Sequence, residues 1–247
     1  ILPVHLYGNP CDMDALSKIA ESHHIALLED ATESLGGTWR GKPTGTLGDF
    51  GCFSFNGNKL ITTGGGGMVV GKDRRKMNHI RFLVNQARDT SRGYFHSELG
   101  YNYRMTNLEA SLGLAQMERI EELLTKKIRF AAIYRETLQD LPEVAFQKEP
   151  DGGESAWWLS SFTYTGGPIA EVQETLKERG IPTRRLFSPL SRLPYLKGFN
   201  PAPCPQVERI YEEGLNLPSS TVNNEKEVIR AAETLREILL ERRRGSK

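Results

Sequence analysis

The 247-residue sequence has little of several things that would settle its class at once. It carries only three cysteines, Cys11, Cys52 and Cys204. They stand far apart, without the short spacings of a zinc site or an even set for a disulfide framework, so neither device is expected to organise the chain. A reducing cytoplasm is the expected compartment. Charge of one sign is lacking too, since 32 basic residues against 31 acidic ones leave a formal net charge of +1. The basic residues are scattered except for the terminal Arg242-Arg243-Arg244, read as a solvated helix end, so no nucleic-acid footprint is visible. No apolar run approaches the length of a spanning helix and no basic-then-apolar leader opens the chain, so no membrane partner is expected. Internal repeats and low-complexity tracts are absent. What remains is a globular chain long enough for one large domain or two modest ones.

What is present is concentrated in Phe50-Gly-Cys-Phe-Ser-Phe-Asn-Gly-Asn-Lys-Leu-Ile-Thr-Thr-Gly-Gly-Gly-Gly-Met-Val-Val-Gly71. Phe53 and Phe55 alternate with Cys52 and Ser54 as in a short strand, Asn56-Gly57-Asn58 makes a turn, and Lys59 stands just beyond an apolar ledge. Four glycines, Gly64 to Gly67, lead into a second strand at Met68-Val69-Val70, where the backbone needs unusual angles or a close approach to something flat. A lysine held this way and partly desolvated can lose its proton and attack a carbonyl to form a Schiff base, the chemistry of pyridoxal phosphate. The same residues also fit a solvated lysine beside a glycine-rich hairpin. The rest of the site decides between them.

Ile1-Leu2-Pro3-Val4-His5-Leu6-Tyr7-Gly8 reads as an opening strand, without an initiating methionine, as if cut from the middle of a sheet. Asp12 caps a helix in which Met13, Leu16, Ile19 and Ala20 recur, and Ile25 to Asp30 is a second strand. Strand, helix, strand is a βαβ unit, hence a parallel sheet with ligands at the carboxyl ends of its strands, where Asp30 sits. There Asp30 is a cap or, beside Lys59, a carboxylate able to pair with a protonated pyridine nitrogen. Met77, Ile80, Phe82 and Leu83 give residues 72–92 one helix face, and a loop follows. From Thr106 a helical pattern runs to Leu138, long enough to be bent or broken and to bridge two domains. Past Leu141-Pro142, strands are expected at 144–146, 157–164 and 181–187, helices at 169–179, 207–214 and 225–242, and turns around 188–195 and 201–205. The expected division is a large domain over residues 1–141, including the long connecting helix, and a small C-terminal α+β domain over 142–247.

Three motifs carry a resemblance: Glu29-Asp-Ala-Thr-Glu-Ser-Leu-Gly36; Gly48 to Lys59 with the glycine run and Met68-Val-Val behind it; and His96-Ser-Glu-Leu-Gly-Tyr-Asn-Tyr-Arg-Met105. Together they resemble the DegT/StrS family of pyridoxal-phosphate sugar aminotransferases, a branch of the fold type I, aspartate aminotransferase-like enzymes. Gly180-Ile-Pro-Thr-Arg-Arg185, Pro189-Leu190 and Gly214-Leu-Asn-Leu-Pro-Ser-Ser220 resemble that family's carboxyl-terminal domain, although Ser191 stands where members usually carry His. The resemblance implies an α/β chain: part of the PLP-transferase large domain, a mainly parallel sheet with helices on both faces, plus the smaller C-terminal domain. It implies pyridoxal 5′-phosphate as cofactor, with Lys59 forming the Schiff base, Asp30 pairing with the pyridine nitrogen, Ser54 bonding the phosphate and Glu33 near the ring hydroxyl. Many members have Gln in place of Glu33, and a carboxylate donates a hydrogen bond only when protonated. Asn102 is expected to reach the phosphate of the neighbouring subunit's cofactor, which implies a homodimer with shared sites. Arg184 is a candidate for holding a donor carboxylate or a substrate phosphate, with a structural arginine as the other reading. No metal ligand is assigned.

The activity implied is ping-pong transfer of an amino group from L-glutamate to a nucleotide-linked keto-sugar, in amino-sugar and cell-surface polysaccharide biosynthesis, with Lys59 moving the proton in both halves. In the family a substantial segment precedes the equivalent of Leu2 and supplies a helix terminus for the phosphate and a side chain that stacks on the ring, so the chain reads as a fragment. Two other readings stay open. One is a pyridoxal-dependent sugar dehydratase, a branch that typically replaces the lysine with histidine, so that Lys59 argues against it. The other is a non-catalytic remnant or regulatory module that binds a sugar nucleotide or a partner protein.

Overall fold

The computed structural model describes residues 1–199 and 202–245. They form two compact units, one of residues 1–125 with 149–158 and one of 126–148 with 159–247.

In the first unit, helix Met13–Ser22 begins where the Asp12 side chain accepts the Ala15 N–H at 3.0 Å, the expected cap. The helix buries Met13 and Ala20 in a cluster with Leu27 and Trp39. Strand Leu28–Asp30 pairs in parallel with Phe50–Ser54, which pairs antiparallel with Gly67–Gly71, so the strand, turn and second strand around Lys59 form as the alternation predicts. The opening segment differs from its expected strand. Val4 makes one parallel bridge to Asp30, and the chain then enters a 3-10 turn, Leu6–Gly8, with Tyr7 at φ 55°. Pro3 has no N–H to give a ladder, and the Tyr7 N–H goes to the Glu33 carboxylate at 2.8 Å instead of to a neighbouring strand. The long helical pattern is broken in two, Asn107–Met117 and Ile120–Leu138, the first opened by a capping box between Thr106 and Glu109. Residues Gly153–Glu154 return to pair with Thr38–Trp39 and so tie the segment that carries Trp157 and Trp158 to this unit.

The second unit is a four-stranded antiparallel sheet in the order Arg184–Arg185, Gly214–Leu217, Ser160–Tyr164, Val144–Phe146. Helices Ile169–Glu178 and Glu225–Gly245 bury Val172, Leu176, Leu235 and Ile238 in one core with Phe162 and Leu215. Gly180, at φ 75°, ends the first of these helices: its N–H reaches the Lys177 carbonyl and that of Ile181 the Leu176 carbonyl, a left-handed turn suited to glycine. Two expected strands are shorter than their apolar runs. That over 157–164 starts only at Ser160, because Trp157 turns to φ 47°, and that over 181–187 contracts to Arg184–Arg185. Of the turn expected at 201–205, Pro201 lies outside the described residues; helix Pro205–Glu213 follows.

Lys127 is buried in this unit with its ammonium on the carbonyl and hydroxyl oxygens of Ser219, at 2.6 and 3.3 Å. Burial away from water pulls its pKa from 10.5 to about 7. Between those values the unfolded chain holds a proton that the folded chain does not, so folding stability rises with pH through this window and falls as pH drops toward 7. The expected slope from this group is up to about 1.4 kcal/mol per pH unit. Urea midpoints taken from pH 7 to 10 should show it in the wild type and a flatter dependence in Lys127→Met; equal slopes would contradict the assignment.

Candidate active site

Lys59 follows a turn in which its own N–H reaches the Asn56 carbonyl at 3.0 Å and the Asn56 N–H reaches Ser54 Oγ at 3.3 Å. Its side chain enters a small pocket of about 10 Å³ lined by Glu33, Ser54, Lys59 and Trp158, among others. Lys59 Nζ lies 3.9 Å from Glu33 Oε1, with the two side chains 13% and 11% exposed. On another side it lies 4.0 Å from the centroid of the Trp158 ring. Burial lowers the Lys59 pKa, and the charges of Glu33 and Asp30 oppose that only in part. Burial likewise raises the Glu33 carboxyl, against the Tyr7 N–H and the Lys59 charge, while the Asp30 charge pushes it further up. A pair at 3.9 Å is too long to compensate two desolvated charges, so both partners lean toward their neutral forms. The lysine is thereby eased toward a nucleophile, and Glu33 toward the protonated state in which it can donate as a glutamine would.

Asp30 ends its strand at the carboxyl edge of the sheet, with Oδ1 accepting the Thr32 N–H at 3.1 Å. Its charge is felt at Lys59, Glu33 and Cys52, the last of which faces it in register and has its thiol pushed up chiefly by burial. Ser54 Oγ accepts the Asn56 N–H, a bond that does not use its own hydroxyl proton. The structure thus gathers Asp30, Glu33, Ser54 and Lys59. Asn102 is exposed, pairs by a backbone bridge with Asn85, and does not line the pocket. Arg184 is exposed on the edge strand of the second unit's sheet, and Ser191 there donates to Glu208 at 3.0 Å.

Beneath these residues lies a buried pair that the sequence reading did not single out. Glu29 is fully buried and takes four donors: the N–H groups of Leu47 (2.7 Å) and Gly48 (2.6 Å) on Oε1, and those of Gly45 (2.8 Å) and the His5 ring (3.0 Å) on Oε2. His5 Nδ1 accepts the Cys11 N–H at 3.1 Å, which leaves the ring proton on Nε2 for Glu29. Burial alone would raise the Glu29 carboxyl; the bonds from His5, Gly48 and Gly45 overturn that and hold it below the usual carboxylate range.

Trp158 was also missed, since Trp157-Trp158 reads as the start of a strand. Its Nε1–H donates to the Asn58 carbonyl at 2.8 Å, one residue before Lys59. Gly8 permits this packing, because a Cβ there would lie 2.9 Å from the Trp157 nitrogen and 3.0 Å from that of Trp158.

The family model for the DegT/DnrJ/EryC1/StrS aminotransferases matches residues 1–236. The chain belongs to this family. It is 37% identical over 238 residues to the GDP-perosamine synthase of Escherichia coli O157:H7, covering 96% of this chain and 65% of that protein. Among solved structures, DesI in the presence of its TDP-sugar product matches with a TM-score of 0.86 at 33% identity, over 96% of this chain and 62% of that one. The PLP form of Spr1654 from Streptococcus pneumoniae matches with a TM-score of 0.90 at 25% identity, over 98% and 68%. The chain therefore spans between 62% and 68% of the length of these proteins.

The α/β fold is that of the DegT/DnrJ/EryC1/StrS aminotransferases. Among the described residues no group of three or more His, Cys, Asp or Glu is placed to hold a metal ion, and no helix is long and apolar enough to cross a membrane. An amine eased toward neutrality, a carboxylate at the strand end, a hydroxyl and a carboxyl drawn toward its protonated form make a donor set that fits pyridoxal phosphate.

Proposed function

We propose that the chain carries the cofactor-binding face of a pyridoxal-5′-phosphate-dependent aminotransferase that moves an amino group from L-glutamate to a nucleotide-linked keto-sugar. The observation that carries this is Lys59, its side chain only 13% exposed, set among Glu33, Ser54 and Trp158 within the field of Asp30. Pyridoxal phosphate would supply an electron sink for the carbon that loses its proton. Asp30 balances the charge of a protonated ring nitrogen, Ser54 donates to the phosphate, and Glu33 bonds near the ring hydroxyl. Lys59 takes up and returns the proton, a task for which lowered basicity suits it. Asn102, exposed, is assigned to the cofactor of a second subunit in a homodimer, and Arg184 to a donor carboxylate or substrate phosphate.

The substrate class is supported by relatives whose names or contents are nucleotide sugars, the GDP-perosamine synthase and DesI with its TDP-sugar product. The PLP and PMP forms of Spr1654 support the cofactor. In this reading the first unit, residues 1–125 with 149–158, represents the large domain expected over 1–141, and the second unit the small one expected over 142–247; the enzyme serves amino-sugar and polysaccharide biosynthesis, and three unpaired cysteines suit a reducing cytoplasm.

An absorbance spectrum of the purified full-length protein with pyridoxal phosphate tests the reading. The expected result is a visible band of lysine-bound cofactor that gives way to the amine form on addition of L-glutamate. A spectrum of free cofactor at saturating protein would overturn it.

A further inference from the structure

Lys59 has a resting place in this structure, and a tryptophan far away in sequence builds it. We propose that Trp158 is a positioning residue which, together with Glu33, docks the free ammonium of Lys59; the inference rests on the reading of Lys59 given above. Nζ stands 4.0 Å from the ring centroid, well within the distance at which an aromatic face attracts a cation, and Trp158 is only 4% exposed, so water screens the contact little. The Glu33 carboxylate supplies the second contact, at 3.9 Å.

The dock is anchored at several points. Trp158 is tied through its Nε1–H to the carbonyl of Asn58, which pins the ring to the backbone one residue before Lys59. The Tyr7 ring stacks against Trp158 at 6.2 Å and 23°, while the Tyr7 N–H holds Glu33. The Ala156 N–H donates to the Gly8 carbonyl at 3.0 Å and fixes the approach to Trp157. Tyr7 at φ 55° and Trp157 at φ 47° are both non-glycine residues in the left-handed region, a costly conformation that persists where surroundings impose it. Ordinary core packing would bury Trp158 and satisfy its N–H; it would not by itself set the ring face against the Lys59 ammonium, between a Tyr7 and a Trp157 held in the left-handed region.

The consequence is a lysine whose proton affinity is set by opposing effects. Burial drives the amine toward neutrality, while the ring face and Glu33 hold the proton. A lysine not joined to the cofactor is therefore kept close and oriented, with the ring face and Glu33 leaving its amine more basic than burial alone would make it.

The test is the titration of Lys59 in the cofactor-free, full-length protein labelled with carbon-13 at lysine Cε, the resonance being assigned by its loss in Lys59→Arg. Replacing the tryptophans with tetrafluorotryptophan preserves their shape and removes the negative ring face. It is expected to lower the Lys59 pKa by about half a unit to one and a half units, with monofluorinated tryptophan giving a smaller drop. Trp158→Leu should lower it similarly, and Trp158→Phe by less. An unchanged or raised pKa with the fluorinated ring, in protein that keeps the wild-type fold, overturns the proposal. The cofactor reading fails by a different sign, a visible band that survives in Lys59→Arg, so the two can be told apart.

Discussion

Lys59→Arg is expected to abolish the visible band of lysine-bound cofactor and to lower amino transfer by about 10³-fold or more. An arginine remains charged at every working pH, so it can neither join a carbonyl nor shuttle a proton. The substitution is chosen because it leaves other features of the site in place. It keeps a long cationic side chain beside Glu33 and Trp158, and it removes no bond at which the fold is held, since the turn depends on the backbone of Asn56 and Lys59. The larger guanidinium has to fit a mostly buried site, so urea unfolding should show a cooperative transition with a loss of about 1 to 3 kcal/mol. Loss of activity with loss of fold would say nothing about chemistry. Loss of activity and band with the fold intact assigns the lysine, and a retained band removes it from the role.

The residues around Lys59 were legible because they lie close together in sequence and obey local rules. Alternation over 50–55, the turn at 56–58 and the glycine run reveal two strands and the lysine between them, and Asp30 could be placed at a strand end from the βαβ pattern. Trp158 could not be found that way. It reaches Lys59 from 99 residues downstream, and bulky aromatics before Ser160 mimic a strand until the backbone at Trp157 turns left-handed. The strand Gly214–Leu217 was hidden for a related reason. It buries Asn216, a residue that argues against a central strand unless its amide is satisfied, and the partners that satisfy it, Ser161 and the Arg185 carbonyl, are distant in sequence. The opening strand failed on two local donors, one that Pro3 lacks and one that Tyr7 spends on Glu33. Asn102 and Arg184 came from motif likeness alone, and the geometry around Lys59 includes neither.

Glu29→Ala is expected to destabilise the protein by about 3 to 5 kcal/mol, the cost of breaking a buried charged network from one side. The carboxylate is the shared acceptor of His5 and of the Gly45, Leu47 and Gly48 N–H groups, and it is fully buried. Without it four donors are stranded away from water, each costing about 1 to 3 kcal/mol before relaxation or an entering water recovers part of the loss. Glu29→Gln keeps the volume and one acceptor oxygen but turns an amide N–H toward a donor, so its cost should fall between wild type and alanine. The pH dependence follows from the direction of the Glu29 shift. Its folded pKa lies below the unfolded value, so its stabilisation is complete above the ordinary carboxylate range and is lost as pH falls through the folded pKa. Urea unfolding should therefore show the wild-type advantage over Glu29→Ala at neutral pH and a narrowing gap in acid. A gap under about 1 kcal/mol at neutral pH would mean that the 45–48 loop is held by something else. Because Asp30 is the next residue and shares the strand that this loop packs against, the same variant should weaken pyridoxal phosphate binding even where it still folds, which links the buried pair to the site above it.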